Sequence, residues 1–211
     1  MKNNTNIEDL KHIRNLMERS SKFLTLSGFS GIAAGVIALV GAAIAWFGIF
    51  QQGAVKYDEY MRALGGGSTM GIRLQMAVLA ALVLICAVGA AWYFSFRKAK
   101  RVGTRLWTST ARRTLYHFLI PLCAGGIFCI ALVIHNNIEL LAAAMLVFYG
   151  LALVNSAKFT VDEVHYLGLS EIILGIFAGF FLNYGLVFWA IGFGVLHIFY
   201  GIRMYNKYDR K

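Results

Sequence analysis

Residues 166–202 decide the fold of this chain: YLGLSEIILGIFAGFFLNYGLVFWAIGFGVLHIFYGI. They form two apolar blocks, each close to the roughly 20 residues that a helix needs to cross a bilayer. Only a short turn, NYG at 183–185, separates the blocks, so the second helix returns antiparallel to the first. The stretch therefore predicts a transmembrane helical hairpin. It also contains two ionisable side chains inside apolar sequence, Glu171 and His197.

The rest of the chain has the same apolar character. Of its 211 residues, 59% are hydrophobic and 14% are charged, whereas a soluble domain has about 45–50% apolar and about 25% charged residues. We predict an all-α polytopic membrane protein whose six transmembrane helices form three hairpins. The predicted spans are Phe23–Phe50, Leu74–Phe96, Leu115–Ile134, Ile138–Ala157, Tyr166–Leu182 and Gly185–Met204.

Two short segments, 1–22 and 205–211, flank this transmembrane domain of residues 23–204. In the first segment, apolar side chains recur at Ile7, Leu10 and Ile13 with charges between them. This spacing is typical of an amphipathic helix that lies in the membrane interface. A short solvated helix without lipid contact is the alternative. Residues 205–211 are predicted to form a cytoplasmic tail.

The basic residues predict the orientation in the membrane. The chain has 20 Lys and Arg residues, of which only Lys56, Arg62 and Arg73 fall on the side away from the termini. The positive-inside rule therefore predicts that both termini lie in the cytoplasm. The net charge of +10 is interpreted as an orientation signal that rests on anionic lipid, and no nucleic acid is expected as a partner.

The three hairpins resemble one another. Their first helices share the patterns GIAAGVIALV, CAGGIFCIAL and IILGIFAGFF, and the fourth and sixth spans align with Gly150 matching Gly194. This likeness predicts parallel internal repeats about an axis along the membrane normal. Chance similarity between glycine-rich apolar helices is the alternative.

Four segments carry a wider resemblance: LSGFSGIAAG, AAAMLVFYGLALVNSAKF, HYLGLSEIILG and FWAIGFGVLHIFYGI. Together with the six-span plan, they resemble a family of small bacterial inner-membrane proteins of unassigned function, over nearly the whole chain. The glycine-marked hairpins are also similar to HdeD-like proteins, a six-span group associated with acid resistance. The resemblance implies a fold and a membrane location, but it transfers no site residue and no mechanism.

Glu171 and His197 are expected to face the protein interior and to meet each other. Each belongs to a stripe of small residues, which lets membrane helices approach closely and marks the interior face. Glu171 lies 13 residues before Tyr184, the centre of the turn, and His197 lies 13 residues after it. Equal distance from the turn of an antiparallel hairpin means equal depth. His197 is therefore the predicted partner of Glu171, in the cytoplasmic third of the membrane.

The same count places His117 and Asn155 at one height in the preceding hairpin. Pro121 is the only proline in the chain. Because proline has no amide hydrogen, it leaves the carbonyl of His117 without its helical donor. Ser27 and Ser30 enter from the first span at a similar depth.

These polar residues predict a pocket that opens toward the cytoplasm and binds a small ligand or a proton. Its predicted residues are Glu171, His197, His117, Asn155, Ser27 and Ser30, with His165 at its border. His165 points either into this pocket or into lipid headgroups. No catalytic residue is assigned.

Binding or transport of a small solute or a proton is the favoured function, because intramembrane ionisable groups are costly and usually functional. Glu171 would be the titrating group, and an imidazole beside a carboxylate responds to protons near neutral pH. A purely structural tie between helices is the alternative for this pair. A non-catalytic scaffold or accessory protein that acts through lipids or a partner chain is the second function.

A zinc-dependent intramembrane hydrolase is the third function, since histidine and glutamate are zinc-ligand types. The sequence contains no H-E-x-x-H and no nucleophile motif, so an enzyme is not the favoured interpretation. Cofactor and metal are not assigned. The lipid bilayer is the expected partner, and the glycine-rich helix faces also suit contacts in a homo-oligomer.

Overall fold

A computed structural model describes residues 26–49, 70–104 and 107–210, and in these ranges the chain is helical, without strands. We name six helices in chain order: α1 Gly28–Ile49, α2 Met70–Val102, α3 Ser109–Ile134, α4 Ile138–Ala157, α5 Asp162–Phe180 and α6 Leu182–Asp209. Each helix is long and apolar enough to cross a membrane. The chain is therefore an all-α, multi-pass membrane protein, as the sequence predicts. The amphipathic helix predicted for residues 1–22 lies outside the described residues.

Several helices extend beyond the predicted spans. α2 ends at Val102 instead of Phe96, and α3 begins at Ser109 instead of Leu115. α5 begins at Asp162, four residues before Tyr166, and its first turn carries Asp162 and Glu163. Acidic side chains suit the positive amino end of a helix, so the helix extends beyond its apolar block. α6 continues to Asp209 instead of ending at Met204. Residues 205–209 therefore belong to the last helix and not to a separate tail.

The packing of the helices places four of them at the centre of the bundle. α1 packs between α2 and α6, and α4 packs between α3 and α5, while α6 also contacts α4 and α5. α5 packs more extensively on α4 than on α6, and α6 packs more extensively on α1 than on α5. This is so although a tight turn joins α5 to α6. The outer helices α2 and α3 have exposed apolar side chains along most of their length, as is expected for surfaces that face lipid.

Glycines bring the central helices into backbone contact. A Cβ atom added at Gly35 of α1 would lie 2.6 Å from the carbonyl oxygen of Gly194 in α6. A Cβ atom added at Gly150 of α4 would lie 2.6 Å from the carbonyl oxygen of Gly168 in α5. Such close approach is how membrane helices gain packing energy without a hydrophobic driving force. The internal repeat stays a prediction, because contacts of this kind arise in any glycine-rich helix pair.

Helix α6 is irregular. An α-helical turn, Gly185–Trp189, leads into a π-helical segment, Ala190–Leu196. An α-helical segment, His197–Met204, follows, and a second π-helical segment, Tyr205–Asp209, ends the helix. π-Helical turns are rare and are found frequently at functional sites. We call the end of the bundle at which α1 begins and α6 ends the basic end.

Candidate functional site

Glu171 is the most deeply buried ionisable side chain of the described residues, with 0% of its surface exposed. It belongs to the buried face of α5, which also includes Gly168, Gly175 and Ala178 at helical spacing. The small residues of this face allow α4 and α6 to approach, and the approach encloses the carboxyl group. Glu171 therefore faces protein and not lipid, as the sequence predicts.

His197 of α6 is the ionisable neighbour of Glu171. Its Nδ1 atom lies 3.4 Å from Oε1 of Glu171, and only 7% of the histidine surface is exposed. The predicted contact between these two side chains is thus present. The same Nδ1 atom lies 3.0 Å from the carbonyl oxygen of Gly192. Because a carbonyl oxygen only accepts hydrogen bonds, Nδ1 carries a hydrogen and donates it to Gly192.

Tyr149 of α4 completes the cluster. Its hydroxyl oxygen lies 2.8 Å from Nε2 of His197. When the imidazole is neutral, Nε2 accepts a hydrogen bond from the tyrosine hydroxyl. When the imidazole is doubly protonated, Nε2 donates and the tyrosine oxygen accepts. Tyr149 can therefore serve both protonation states of His197 without a movement of the ring. We call Glu171, His197 and Tyr149 the buried triad.

The carboxyl group of Glu171 has no hydrogen-bond donor among the residues that the structure describes, although both of its oxygen atoms are buried. The contact with Nδ1 of His197 is longer than a normal hydrogen bond. On the other side, a Cβ atom added at Gly192 would lie 2.5 Å from Oε2, so this carboxyl oxygen lies directly against the backbone of the π-helical segment. Leu146 of α4, also fully buried, packs against the same glycine.

His117 and Asn155 are also in contact, through the backbone of His117 and the side chain of Asn155. Nδ2 of Asn155 donates a hydrogen bond of 2.7 Å to the carbonyl oxygen of His117. This is the carbonyl that Pro121 leaves without a helical donor, and α3 does contain Pro121 in its interior. The imidazole of His117 stacks on Phe159, with 4.9 Å between ring centroids. The histidine ring is thus engaged separately from the buried triad.

Ser27 and Ser30 take part in a third polar cluster, at the basic end. The Oγ atom of Ser27 donates to Oδ2 of Asp209 at 3.0 Å, and the amide of Gly28 donates to the same oxygen at 2.8 Å. Lys98 of α2 lies 2.6 Å from Oδ1 of Asp209 and also donates to the carbonyl of Leu26. We call Ser27, Gly28, Lys98 and Asp209 the terminal clamp. Ser30 donates to the carbonyl oxygen of Ser27.

The structure therefore distributes the predicted pocket residues over three polar clusters. The hydrogen bonds and ion pairs of the described residues do not connect the buried triad with the His117–Asn155 contact or with the terminal clamp. His165 is partly exposed and makes an edge contact with the ring of Tyr166. Counting from the turn brings Glu171 and His197 to the same height in the hairpin, where they are in contact. Height does not specify the direction in which a side chain points.

A zinc site would need several close ligands. Within residues 26–49, 70–104 and 107–210, no group of three His, Cys, Asp or Glu side chains stands close enough to hold a metal ion. Glu171 and His197 are two ligand types in contact, and Tyr149 is the third polar neighbour. The arrangement brings one carboxyl group, one imidazole and one phenol hydroxyl together.

Comparison with known proteins adds no assignment: no family model, no curated protein and no solved structure matches this chain. The resemblance to small bacterial inner-membrane proteins and to HdeD-like proteins stays an expectation from the sequence. Interpretation of the site consequently rests on its own geometry.

Sequence reasoning missed Tyr149, Lys98 and Asp209. Tyr149 is one of many aromatic residues in apolar sequence, and nothing in its spacing distinguishes it. Asp209 is the only acidic residue after Glu171, so an isolated carboxylate next to a basic terminus was a usable signal. The partner of that carboxylate in the first helix, 182 residues away, carries no such signal.

Proposed function

We propose that this chain is a proton-binding protein of the bacterial inner membrane and that the buried triad is its proton site. The basic end would face the cytoplasm and anionic lipid, because most Lys and Arg residues of the chain fall on that side. One observation carries the proposal. The carboxyl group of Glu171 is fully enclosed, lacks a hydrogen-bond donor in the described part of the chain, and has one ionisable contact, His197.

The charge balance of the pair supports a shared proton. An ionised carboxylate without hydrogen bonds is strongly disfavoured in an apolar interior. With one proton between them, Glu171 and His197 form either a neutral acid beside a neutral imidazole or a carboxylate beside an imidazolium. Both arrangements have zero net charge. Gain of a second proton or loss of the first leaves one net charge inside the membrane, which is disfavoured in an apolar interior.

The packing around the triad favours a proton over a larger solute. Oε2 of Glu171 lies against the backbone at Gly192, and Leu146 fills the adjacent space. Aromatic rings of Phe193 and Phe118 contact Tyr149 from two sides. A proton needs no cavity, whereas a small-molecule site needs a formed one. Binding of a solute would therefore require these helices to separate first.

Infrared spectroscopy of the purified protein tests the proposal. A protonated carboxyl group has a carbonyl stretch that a carboxylate lacks, and its intensity is followed between roughly pH 5 and pH 8. We expect a pH-dependent band that is absent from Glu171→Gln and retained in Glu163→Gln. Glu163 is the matched control, because its carboxylate lies 2.7 Å from Nζ of Lys207 on the same pair of helices. If the spectra of wild type and Glu171→Gln show the same pH dependence, Glu171 is not a proton site.

A double-mutant cycle separates a proton site from a structural tie. The contact of 3.4 Å with Nδ1 is too long for a strong hydrogen bond, so we expect a coupling energy below about 0.6 kcal/mol, the average for polar contacts in membranes. The variants are Glu171→Gln, His197→Gln and the combination, and the free energy of unfolding is measured in detergent. Large single losses with strong coupling would identify the pair as a helix tie instead.

A non-catalytic scaffold is the second candidate, and the exposed outer helices favour it. Among the described helices, α2 contacts α1 alone over most of its length, and its other faces are apolar and exposed. In this case the basic end and the outer surface would carry function. Activity in cells would then survive Glu171→Gln, which the proton-site proposal does not allow.

A further inference from the structure

The hydrogen on Nδ1 of His197 has two possible acceptors. One is the carbonyl oxygen of Gly192, at 3.0 Å. The other is Oε1 of Glu171, at 3.4 Å. While Glu171 is protonated, it competes poorly, since hydrogen bonds to a charged acceptor are roughly twice as strong as bonds between neutral groups. In the structure, the shorter contact of Nδ1 is the one to the carbonyl oxygen.

Gly192 belongs to the π-helical segment Ala190–Leu196, and His197 follows that segment directly. In an α-helix, the carbonyl of Gly192 would accept from the amide of Leu196. Here, the side chain of His197 supplies a hydrogen bond to that carbonyl from the next turn. The histidine thus stabilises a backbone form that a regular helix would not adopt.

We propose that the proton on Glu171 controls the helical form of the Ala190–Leu196 segment, and through it the position of the basic-end half of α6. The inference rests on the proton site proposed above and deepens it by naming what the proton regulates. When Glu171 loses its proton, the carboxylate attracts the hydrogen of Nδ1. The carbonyl of Gly192 then loses its side-chain donor, and the amide of Leu196 is the replacement that restores an α-helical turn.

The construction of α6 allows such a movement to reach the basic end. The α-helical segment His197–Met204 has a π-helical segment on each side. Its neighbour α1 presents Gly28, Gly31 and Gly35 to it, so few side chains interlock the two helices. The second π-helical segment ends at Asp209, which joins α6 to α1 and α2 in the terminal clamp. A change in the turn at Gly192 is therefore transmitted to a polar contact between three helices.

Other titratable groups near this path are few. Tyr149 of α4 contacts His197, and no charged side chain from the described parts of α1, α2 or α3 forms a hydrogen bond, ion pair or ring contact with Glu171 or His197. The Glu163–Lys207 ion pair joins the same two helices nearer the basic end. This ion pair, which Tyr208 also contacts, is a competing source of pH dependence between α5 and α6, and its effect is removed in Glu163→Gln.

Spin-label distance measurements test the inference on the full chain. With Cys86, Cys123 and Cys129 replaced by serine, labels are attached at Arg203 of α6 and Lys158 at the end of α4, both exposed. A second pair, Arg113 and Lys158, is the control on α3 and α4. Conversion of a π turn to an α turn moves the following residues by one helical step, about 1.5 Å along the axis and about 100° around it. We expect the first distance to change by roughly 3 Å between low and high pH, and the second to stay constant.

Two variants connect any change to the mechanism. Glu171→Gln should abolish the pH response, because its amide cannot ionise. Deletion of Val195, an exposed residue of the π-helical segment, should fix an α-helical turn and also abolish it. His197→Gln gives an independent test if the deletion prevents folding, since it removes the donor to Gly192.

The possible results are distinct. A constant Arg203–Lys158 distance overturns the inference, and the proton site still stands if the infrared band of Glu171 titrates. A pH response that persists in Glu171→Gln overturns it as well, and its loss in Glu163→Gln would assign the movement to that ion pair. A response that follows the infrared titration and disappears with Glu171→Gln supports it.

Discussion

Replacement of Gly150 by alanine tests whether the contact between α4 and α5 depends on the missing side chain. The added Cβ atom would lie 2.6 Å from the carbonyl oxygen of Gly168 and 2.7 Å from Cγ1 of Ile172. Ordinary van der Waals contacts of such an atom begin at 3.4 Å, so the helices would have to separate by about 0.8 Å. The obstacle is backbone, and rotation of a side chain does not relieve it.

The cost follows from this separation. A gap of about 0.5–1 Å removes a quarter to a half of the dispersion energy of each contact across the interface. Overpacking of a well-packed interior lowers the free energy of unfolding by about 1–3 kcal/mol. The higher helix propensity of alanine offsets up to about 1 kcal/mol of this loss. We expect Gly150→Ala to lower the free energy of unfolding by roughly 1–2 kcal/mol. The measurement is reversible unfolding in detergent, with Tm as a second readout.

Two glycines of α3 provide matched controls. A Cβ atom at Gly126 would have no heavy atom within 4 Å, so Gly126→Ala should be neutral or slightly stabilising. A Cβ atom at Gly125 would meet Cβ of Phe148, which rotation of that side chain does not move, so Gly125→Ala is the positive control and should be destabilising like Gly150→Ala. Equal stability of Gly150→Ala and Gly126→Ala would refute the packing argument.

Two other contacts give predictions of the same kind. Asn155→Ala removes the donor to the carbonyl of His117 and should cost about 1–3 kcal/mol of unfolding free energy, because Pro121 supplies no amide hydrogen. Pro121→Ala in the same chain should recover much of the loss, and no recovery in the denaturation midpoint would contradict this account. Asp209→Ala leaves the buried ammonium of Lys98 without its ion-pair partner and should cost roughly 3 kcal/mol. The combination with Lys98→Met should be closer to wild type in Tm, and an additive loss would show that the ion pair is unimportant.

The sequence predicts the contacts within hairpins better than those between them. Counting from a turn gives the relative depth of two residues, and this sufficed for Glu171 with His197 and for His117 with Asn155. The sequence also predicted that the carbonyl of His117 lacks a helical donor, because a proline removes the hydrogen bond to the residue four positions earlier in any helix.

The contacts that the sequence did not predict depend on which helices are neighbours. α1 packs on α6, and α4 packs on α5, although the chain provides no turn from which to count for the first pair. Counting gives height but no direction around the helix, so it placed Ser27 and Ser30 with Glu171. In the structure, Ser30 donates to the carbonyl oxygen of Ser27, and Ser27 donates to Asp209. The π-helical segment at Ala190–Leu196 was also missed, because glycine permits several backbone forms and the choice is made by packing.

The terminal clamp has a consequence for biosynthesis. Helix α1 emerges from the ribosome early, but the carboxylate that receives the amide of Gly28 belongs to Asp209, 181 residues later. Throughout translation, Lys98 and the start of α1 must remain without this partner. Synthesis of residue 209 is thus the step that allows the terminal clamp to form.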